Sequence, residues 1–368
     1  MKIIVIGPYF PYRGGIADTN QELCNELKQN GHTVIVLNFK LQYPSLLFPG
    51  KSQFSNKTSE LKIKSKRVIN SINPFNWISI AKLINDINPD LVITSYWTAF
   101  LSPCISCINK LIDNKISTIG LIHNAYPHEK GIFQKNLLKL FLKSIDKYIS
   151  LSKNVSKQIK LVESNKKGET LFHPIPTKFG NPIEKKIAKE KLGLNSNYKY
   201  LLFFGLIRKY KGLDILIKAM SEIIKQNNKI KLLVVGENYE SINKYKKLAI
   251  EENVINNIFF KNEFIKENEV KYWFCSSDLI IQPYKSASQS GITPLSVQFE
   301  VPTICSDING LSEYIIDNKD GFLSKTNPKD LAKKILFALN SDLNLIKQGI
   351  RIKKKKLTWK HFVNKLIL

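Results

Sequence analysis

The sequence predicts an α/β protein with two domains, each built on a parallel β-sheet with helices on both faces. Short apolar runs, typical of strands buried on both faces, alternate with amphipathic helical segments along the chain. This alternation starts again near residue 198, after a charged stretch with few apolar residues. The 368 residues are enough for two domains of ordinary size, and the hydrophobic content of 43% is enough for a large core.

The first half opens with a β–α–β unit. Lys2–Ile6 is predicted to be a strand, Ile16–Asn30 a helix and Thr33–Leu37 a second strand. The loop before the helix carries Gly14 and Gly15. Two adjacent glycines at this place indicate either a close approach of a ligand to the backbone or a plain tight turn.

Two later features of the first half could bind a partner. His123 follows the predicted strand Ser117–Ile122, where α/β proteins bind ligands, although a structural histidine fits as well. Ile132–Ile149 is predicted to be one amphipathic helix. Its lysines recur every four residues and form one stripe, either a solvated face or a surface that docks on an anionic membrane: Lys135, Lys139, Lys143 and Lys147. Residues 40–75 show no clear periodicity and are predicted to be irregular.

The net charge of +26 predicts attraction to an anionic partner, or reflects a composition rich in Lys, Asn and Ile throughout. No nucleic-acid-binding module is recognisable, so nucleic acid is not an expected partner. Cys104 and Cys107 form an isolated C-x-x-C pair, which is expected to be structural in a reducing cytosol, the alternative being a redox or zinc site. No apolar run reaches the roughly 18 residues of a membrane span.

The second half places two cations in a strand–helix turn. Tyr200–Phe204 is a predicted strand, and Arg208 and Lys211 precede Gly212 and a helix. The planar fork of an arginine and the point charge of a lysine together match a diphosphate, although they could also be two surface charges. The second predicted strand of this half, Lys231–Val235, is closed by Gly236.

The segment Asp278–Glu313 combines a buried strand, a small polar loop and a helix start. The loop spans residues 286–291, and Thr293-Pro294 then has the pattern of a helix cap. Backbone N–H groups at such a start favour an anion, and phosphate above all. The alternative is an ordinary strand–helix turn.

These patterns give a domain organisation in four parts. The predicted N-terminal domain is 1–178, the linker is 179–197, the C-terminal domain is 198–350, and residues 351–368 form a C-terminal helical segment.

With these motifs in this order, the chain resembles family four glycosyltransferases with the GT-B fold, two Rossmann-like domains facing across a cleft. The motifs are Gly14-Gly15, His123, residues 203–212, residues 234–237 and residues 278–313. The resemblance implies that the domain 1–178 binds the acceptor, that the domain 198–350 binds the nucleotide sugar, and that the helix at 351–368 crosses back to the N-terminal domain. It also implies that Arg208 and Lys211 hold the donor diphosphate and that His123 lies near the transferred sugar. It implies further donor contacts at Gly14, Gly15, Gly205, Gly236, Phe264, Ile265 and Glu313.

One segment departs from the family pattern. The family often carries two glutamates eight residues apart, and the corresponding positions here are Ala287 and Leu295. The loop instead resembles a subgroup with S/T-Q-S-G at this place. Contacts to the sugar hydroxyls are therefore expected from Ser288, Gln289, Ser290 and Gly291.

The resemblance implies transfer with retention of configuration, in which the diphosphate departs and the acceptor hydroxyl attacks from the same face. No D-x-D motif is present, so no metal or other cofactor is expected. The expected role is synthesis of a surface polysaccharide such as lipopolysaccharide, capsule or exopolysaccharide, on a glycan or lipid-linked acceptor. The enzyme is expected in the cytoplasm, peripheral on the inner face of the cell membrane. The alternatives are a nucleotide-sugar epimerase on the same fold and a non-catalytic module that binds anionic surfaces.

Overall fold

The computed structural model describes residues 1–44, 53–54, 63–126, 133–238, 241–287 and 289–368. The chain forms two compact units. The first contains residues 1–172 and 359–368, and the second contains residues 173–358. In both units every described strand pairing is parallel, as the alternation of strands and helices predicts.

The first unit has a seven-stranded sheet in the order β3-β2-β1-β4-β5-β6-β7 among its described residues. Its strands are β1 (Lys2–Ile6), β2 (Thr33–Leu41), β3 (Ser65–Asn70), β4 (Leu91–Tyr96), β5 (Ser117–Ile122), β6 (Lys147–Ser150) and β7 (Gly168–Thr170). Its helices are α1 (Gly15–Gln29), α2 (Pro74–Ile87), α3 (Ser102–Lys110), α4 (Gln134–Leu142), α5 (Lys153–Val162) and α13 (Trp359–Ile367).

The second unit has a six-stranded sheet in the order β10-β9-β8-β11-β12-β13 within the described ranges. Its strands are β8 (Lys199–Phe204), β9 (Ile230–Val235), β10 (Ile258–Lys261), β11 (Leu279–Gln282), β12 (Thr303–Ser306) and β13 (Phe322–Ser324). Its helices are α6 (Lys185–Lys191), α7 (Leu213–Gln226), α8 (Ile242–Glu251), α9 (Glu267–Ser276), α10 (Ile292–Gln298), α11 (Pro328–Asn340) and α12 (Leu343–Lys356).

The strand order of each sheet creates one place for a ligand. In each sheet the first strand lies in the interior, and later strands are added on both sides of it: β1 lies between β2 and β4, and β8 lies between β9 and β11. In open α/β sheets, ligands bind outside the carboxyl ends of the strands at the point where the strand order reverses. In the second unit, the turns that follow β8, β9 and β11 lie at the reversal.

The predicted helix over residues 132–149 is wrong in its extent. Helix α4 ends at Leu142, and Lys147 begins strand β6, where it pairs with Ile119. Asp146 anchors the chain between them, because its carboxylate accepts hydrogen bonds from the backbone N–H and the hydroxyl of Thr118. Only Lys135 and Lys139 lie on α4, so the four lysines do not form one helical stripe.

The irregular segment predicted at residues 40–75 contains strand β3. This strand lies at the edge of the sheet, and its Lys66 and Arg67 are exposed. An edge strand with polar side chains lacks the apolar run by which the buried strands are recognised. The rest of this segment lies partly outside the described residues.

Residues 179–197 fold as part of the second unit. Helix α6 packs on α9, with Ala188 fully buried and Lys185 in an ion pair of 2.7 Å with Asp278. Helix α12, most of which precedes residue 351, also belongs to this unit. Helix α13 packs on α1 of the first unit, where the indole N–H of Trp359 donates to Glu22.

Candidate functional site

Glycines bring three turns of the second unit together. Gly212 has φ +69° after the 3-10 helix Lys209–Lys211, and a Cβ at this position would lie 1.9 Å from the carbonyl oxygen of Pro283. Gly236, with φ +143°, would place a Cβ 2.2 Å from the carbonyl oxygen of Gly205. Because any side chain would collide with backbone at both positions, the turns after β8, β9 and β11 can meet only with glycine there.

Lys211 is the central side chain of these turns. It is 8% exposed, and its Nζ would lie 3.3 Å from a Cβ on Gly205. Its ammonium lies 5.4 Å from the ring centroid of Tyr284. No described carboxylate forms an ion pair with Lys211, and none is among the charges that act on it.

The environment of Lys211 disfavours its positive charge. Burial lowers the pKa of its ammonium, and the neighbouring Arg208 lowers the pKa further, whereas Tyr210 opposes the shift. A buried cation without a carboxylate partner is costly unless an anion compensates it. The structure therefore brings Arg208 and Lys211 together, and a bound anion at this place would compensate the buried charge of Lys211.

The loop after β11 is held by a buried polar network. The hydroxyl of Ser290 donates to Oε1 of Gln282 over 2.7 Å, and the amide of Gln282 donates to the hydroxyl of Thr293 over 3.1 Å. Thr293 thus bonds to the strand end and does not cap the helix, because α10 begins at Ile292 after Gly291. Gln282 was not predicted, because its only signal in the sequence is an amide at the end of an apolar strand.

The four predicted loop residues differ in what they present. Ser288 lies outside the described residues. Oε1 of Gln289 is buried without a hydrogen-bond partner among the described residues. A Cβ on Gly291 would meet nothing within 4 Å, so the backbone faces open space at this point.

The other predicted donor contacts of the second unit lie in turns after β10 and β12. Phe264 is 62% exposed, whereas Ile265 is 6% exposed and packs in the hydrophobic core with Val270 and Trp273. The side chain of Ile265 is therefore a core residue. Glu313 is half-buried in the 3-10 helix Ser312–Tyr314.

In the first unit, the Gly14-Gly15 turn is open. Both residues are exposed, and a Cβ on either would meet nothing within 4 Å. Gly14 has φ +115° directly before α1. His123 follows β5 and is 2% exposed, and its backbone N–H donates to Tyr96 over 2.8 Å.

The described residues contain no cluster of three or more His, Cys, Asp or Glu side chains that could hold a metal ion. Cys104 and Cys107 lie on α3 as free thiols. Within the same residues, no helix is both long and apolar enough to span a bilayer. Lys135, Lys139 and Lys143 are exposed and Lys147 is half-buried.

Comparisons with known proteins identify both units. Residues 13–167 match the family described as Glycosyltransferase Family 4, and residues 184–356 match the family described as Glycosyl transferases group 1. An uncharacterized glycosyltransferase of Methanocaldococcus jannaschii (MJ1178) is 26% identical over 348 residues, which cover 93% of this chain and 89% of the relative.

Solved structures share the fold over the whole chain. Sucrose-phosphate synthase of Thermosynechococcus elongatus superposes with a TM-score of 0.78 at 15% identity, covering 100% of this chain and 97% of that protein. Anabaena HepE in complex with UDP superposes with a TM-score of 0.76 at 13% identity, covering 100% and 98%. The two family matches cover nearly all of both parallel-sheet units, and they favour a transferase over an epimerase or a binding-only module. The chain is therefore a glycosyltransferase of the GT-B type.

Proposed function

We propose that this enzyme is a retaining glycosyltransferase that moves a sugar from a nucleoside-diphosphate sugar to a glycan or lipid-linked acceptor. The observation that carries the proposal is the ammonium of Lys211, buried beside Arg208 without a carboxylate partner among the described residues. A diphosphate supplies the negative charge that this position lacks. HepE, which shares the fold, has been solved in complex with UDP.

In the proposed reaction, Arg208 and Lys211 stabilise the charge that develops on the departing diphosphate. The acceptor hydroxyl attacks from the same face, and a phosphate oxygen takes its proton. Gly205 and Gly236 are proposed to contribute backbone contacts to the donor from turns that pack closely against each other. The reaction as proposed needs no metal ion, because the two side-chain cations supply the positive charge.

Further contacts belong to the same proposal. Gln289 offers a buried carbonyl oxygen to the sugar hydroxyls, and the open backbone at Gly291 offers its N–H. The exposed ring of Phe264 is proposed to contact the base, together with the backbone of Ile265. The remaining proposed contacts are His123, Gly14, Gly15, Ser288, Ser290 and Glu313.

The test is a panel of UDP-, GDP-, dTDP- and ADP-sugars scored by thermal stabilisation. A donor at about a hundredfold its dissociation constant adds roughly 2.7 kcal/mol to the free energy of unfolding. Arg208→Ala and Lys211→Ala are expected to abolish both stabilisation and transfer. Lys209→Ala is the matched control, because this exposed lysine lies in the same turn. Unchanged donor binding in the first two variants would contradict the site.

We further propose that the enzyme acts in surface polysaccharide synthesis, in the cytoplasm, docked on the inner face of the membrane. The support is the net charge of +26 and the exposed lysines Lys135, Lys139 and Lys143. Replacing these three by glutamate should weaken sedimentation with phosphatidylglycerol vesicles. The control makes the same charge change at three exposed lysines of the second unit, Lys186, Lys191 and Lys229. Equal loss in both variants would show that net charge alone drives binding.

A further inference from the structure

Tyr284 is a buried aromatic residue that has no part in the reaction proposed above. It follows β11 and Pro283, and it is 3% exposed. Its ring packs with Cys305, Leu311 and Ile315 and lies edge-on to Tyr210, with 6.0 Å between the ring centroids. The sequence does not single it out, because a tyrosine after a strand and a proline resembles an ordinary core residue.

The ring of Tyr284 contacts the proposed phosphate-binding cation. The ammonium of Lys211 lies 5.4 Å from the ring centroid. An aromatic face attracts a cation through its quadrupole, most strongly where water is excluded. Lys211 is 8% exposed and has no ion pair with a described carboxylate, so this ring is a principal favourable contact of its charge.

The hydroxyl of Tyr284 reaches the loop on the other side of the site. It is hydrogen-bonded with Ser290. The hydroxyl of Ser290 donates to Gln282 over 2.7 Å and accepts from the backbone N–H of Ile292 over 3.2 Å. A serine hydroxyl has one donor and two acceptor sites, so one acceptor site of Ser290 remains for Tyr284.

We propose that Tyr284 is a positioning residue that sets the phosphate-binding ammonium with its ring and the sugar-binding loop with its hydroxyl. This inference rests on the proposed function of Lys211 and of the loop at 289–291. The backbone beneath them is held separately, because the N–H of Lys285 donates to the carbonyl oxygen of Tyr210 over 2.7 Å. The two roles of the side chain can therefore be separated by substitution.

Tyr284→Phe keeps the ring and removes the hydroxyl, whereas Tyr284→Leu removes both. The probe is inorganic pyrophosphate, titrated calorimetrically into the full-length protein. It is suitable because it fits a diphosphate site regardless of which nucleoside the natural donor carries. We expect Tyr284→Leu to bind pyrophosphate about tenfold more weakly and Tyr284→Phe to stay within about twofold. Tyr284→Phe should instead raise the KM for the nucleotide-sugar donor, because the loop at 289–291 loses the hydrogen bond between Tyr284 and Ser290.

The pH dependence of pyrophosphate binding distinguishes positioning from a loss of packing. The ionisable groups that act on Lys211 are Arg208 and Tyr210 from its own turn, and its ring contact is Tyr284, with the Cys305 thiol behind. Without the ring the ammonium loses its proton more readily, so the alkaline limit of binding should move to lower pH in Tyr284→Leu and not in Tyr284→Phe. Tyr284→Met, a second aliphatic variant, should behave as Tyr284→Leu and replaces it if that variant does not fold.

Tyr200 provides the matched control. It is 4% exposed, its ring lies 5.0 Å from the ammonium of Lys189, and its hydroxyl donates to Asn195 over 3.1 Å. Tyr200→Leu should lower the thermal stability and leave the affinity and pH limit of pyrophosphate binding unchanged. If the aliphatic variants at Tyr284 keep the wild-type affinity and pH limit, the positioning role is wrong. If the wild-type chain binds no pyrophosphate, the proposed function fails together with it.

Discussion

The two units use glycine in their ligand-side turns for opposite reasons. At Gly14 and Gly15 of the first unit, a Cβ would meet nothing within 4 Å. At Gly212 and Gly236 of the second unit, a Cβ would lie 1.9 and 2.2 Å from backbone carbonyl oxygens. At Gly14 and Gly15 the missing side chain leaves the backbone exposed, whereas at Gly212 and Gly236 it allows neighbouring turns to pack against each other. The same residue type therefore leaves the backbone exposed in one unit and allows close packing of the turns in the other.

The largest effect is expected for Gly212→Ala. The backbone there has φ +69°, which strains any side chain, and the new Cβ would collide with Pro283. We expect a loss of about 3–5 kcal/mol in the free energy of unfolding, measured by denaturant titration. Gly193→Ala is the control, since Gly193 has φ +64° with nothing within 4 Å and should lose only about 1 kcal/mol. Equal losses in the two variants would show that the collision does not decide the effect.

An intermediate effect is expected for Lys211→Met. Burial lowers the pKa of Lys211 in the folded chain from the ordinary value of 10.5, so the unfolded chain binds more protons between the two pKa values. The stability of the wild type therefore rises with pH through that window. The methionine variant should be more stable at neutral pH by about 1 kcal/mol, and its advantage should shrink as pH rises towards 10.5.

Unfolding of both proteins across alkaline pH measures this effect, with Lys209→Met as an exposed control. The same variant should lose nucleotide-sugar binding, because the site loses its buried cation. A methionine variant less stable than the wild type at neutral pH would mean that the ring contact outweighs the cost of burial.

The smallest effect on stability is expected for Gly15→Ala. Gly15 begins α1 in open space, and alanine is the better helix former, so unfolding should change by less than about 1 kcal/mol, in the stabilising direction. Sugar transfer should nevertheless fall, because the methyl group covers backbone proposed to approach the donor. Assays of sugar transfer by Gly15→Ala, together with denaturant titration, test this prediction. Full transfer activity in the variant would mean that Gly15 is not part of the donor site.

The buried strands of both sheets could be predicted because each is an apolar run long enough to stand out. Strand β3 and the early end of α4 could not, because neither an exposed edge strand nor the bonds between Asp146 and Thr118 of the neighbouring strand are visible in the local periodicity. The proposed cations Arg208 and Lys211 were recognisable from their place before Gly212. Their neighbour Tyr284 was not, because its role depends on contacts with a turn more than 70 residues away in the chain.

The sequence by itself determined the two α/β units, their parallel sheets and the turns that carry the polar residues, since these follow from the local alternation of apolar and polar residues. Only the tertiary structure decided that Lys211 is buried without a carboxylate partner among the described residues, and that Tyr284 joins it to Ser290. Burial and pairing depend on residues from several strands, and no local pattern encodes the distances between them. The chemistry proposed for this enzyme depends on those distances.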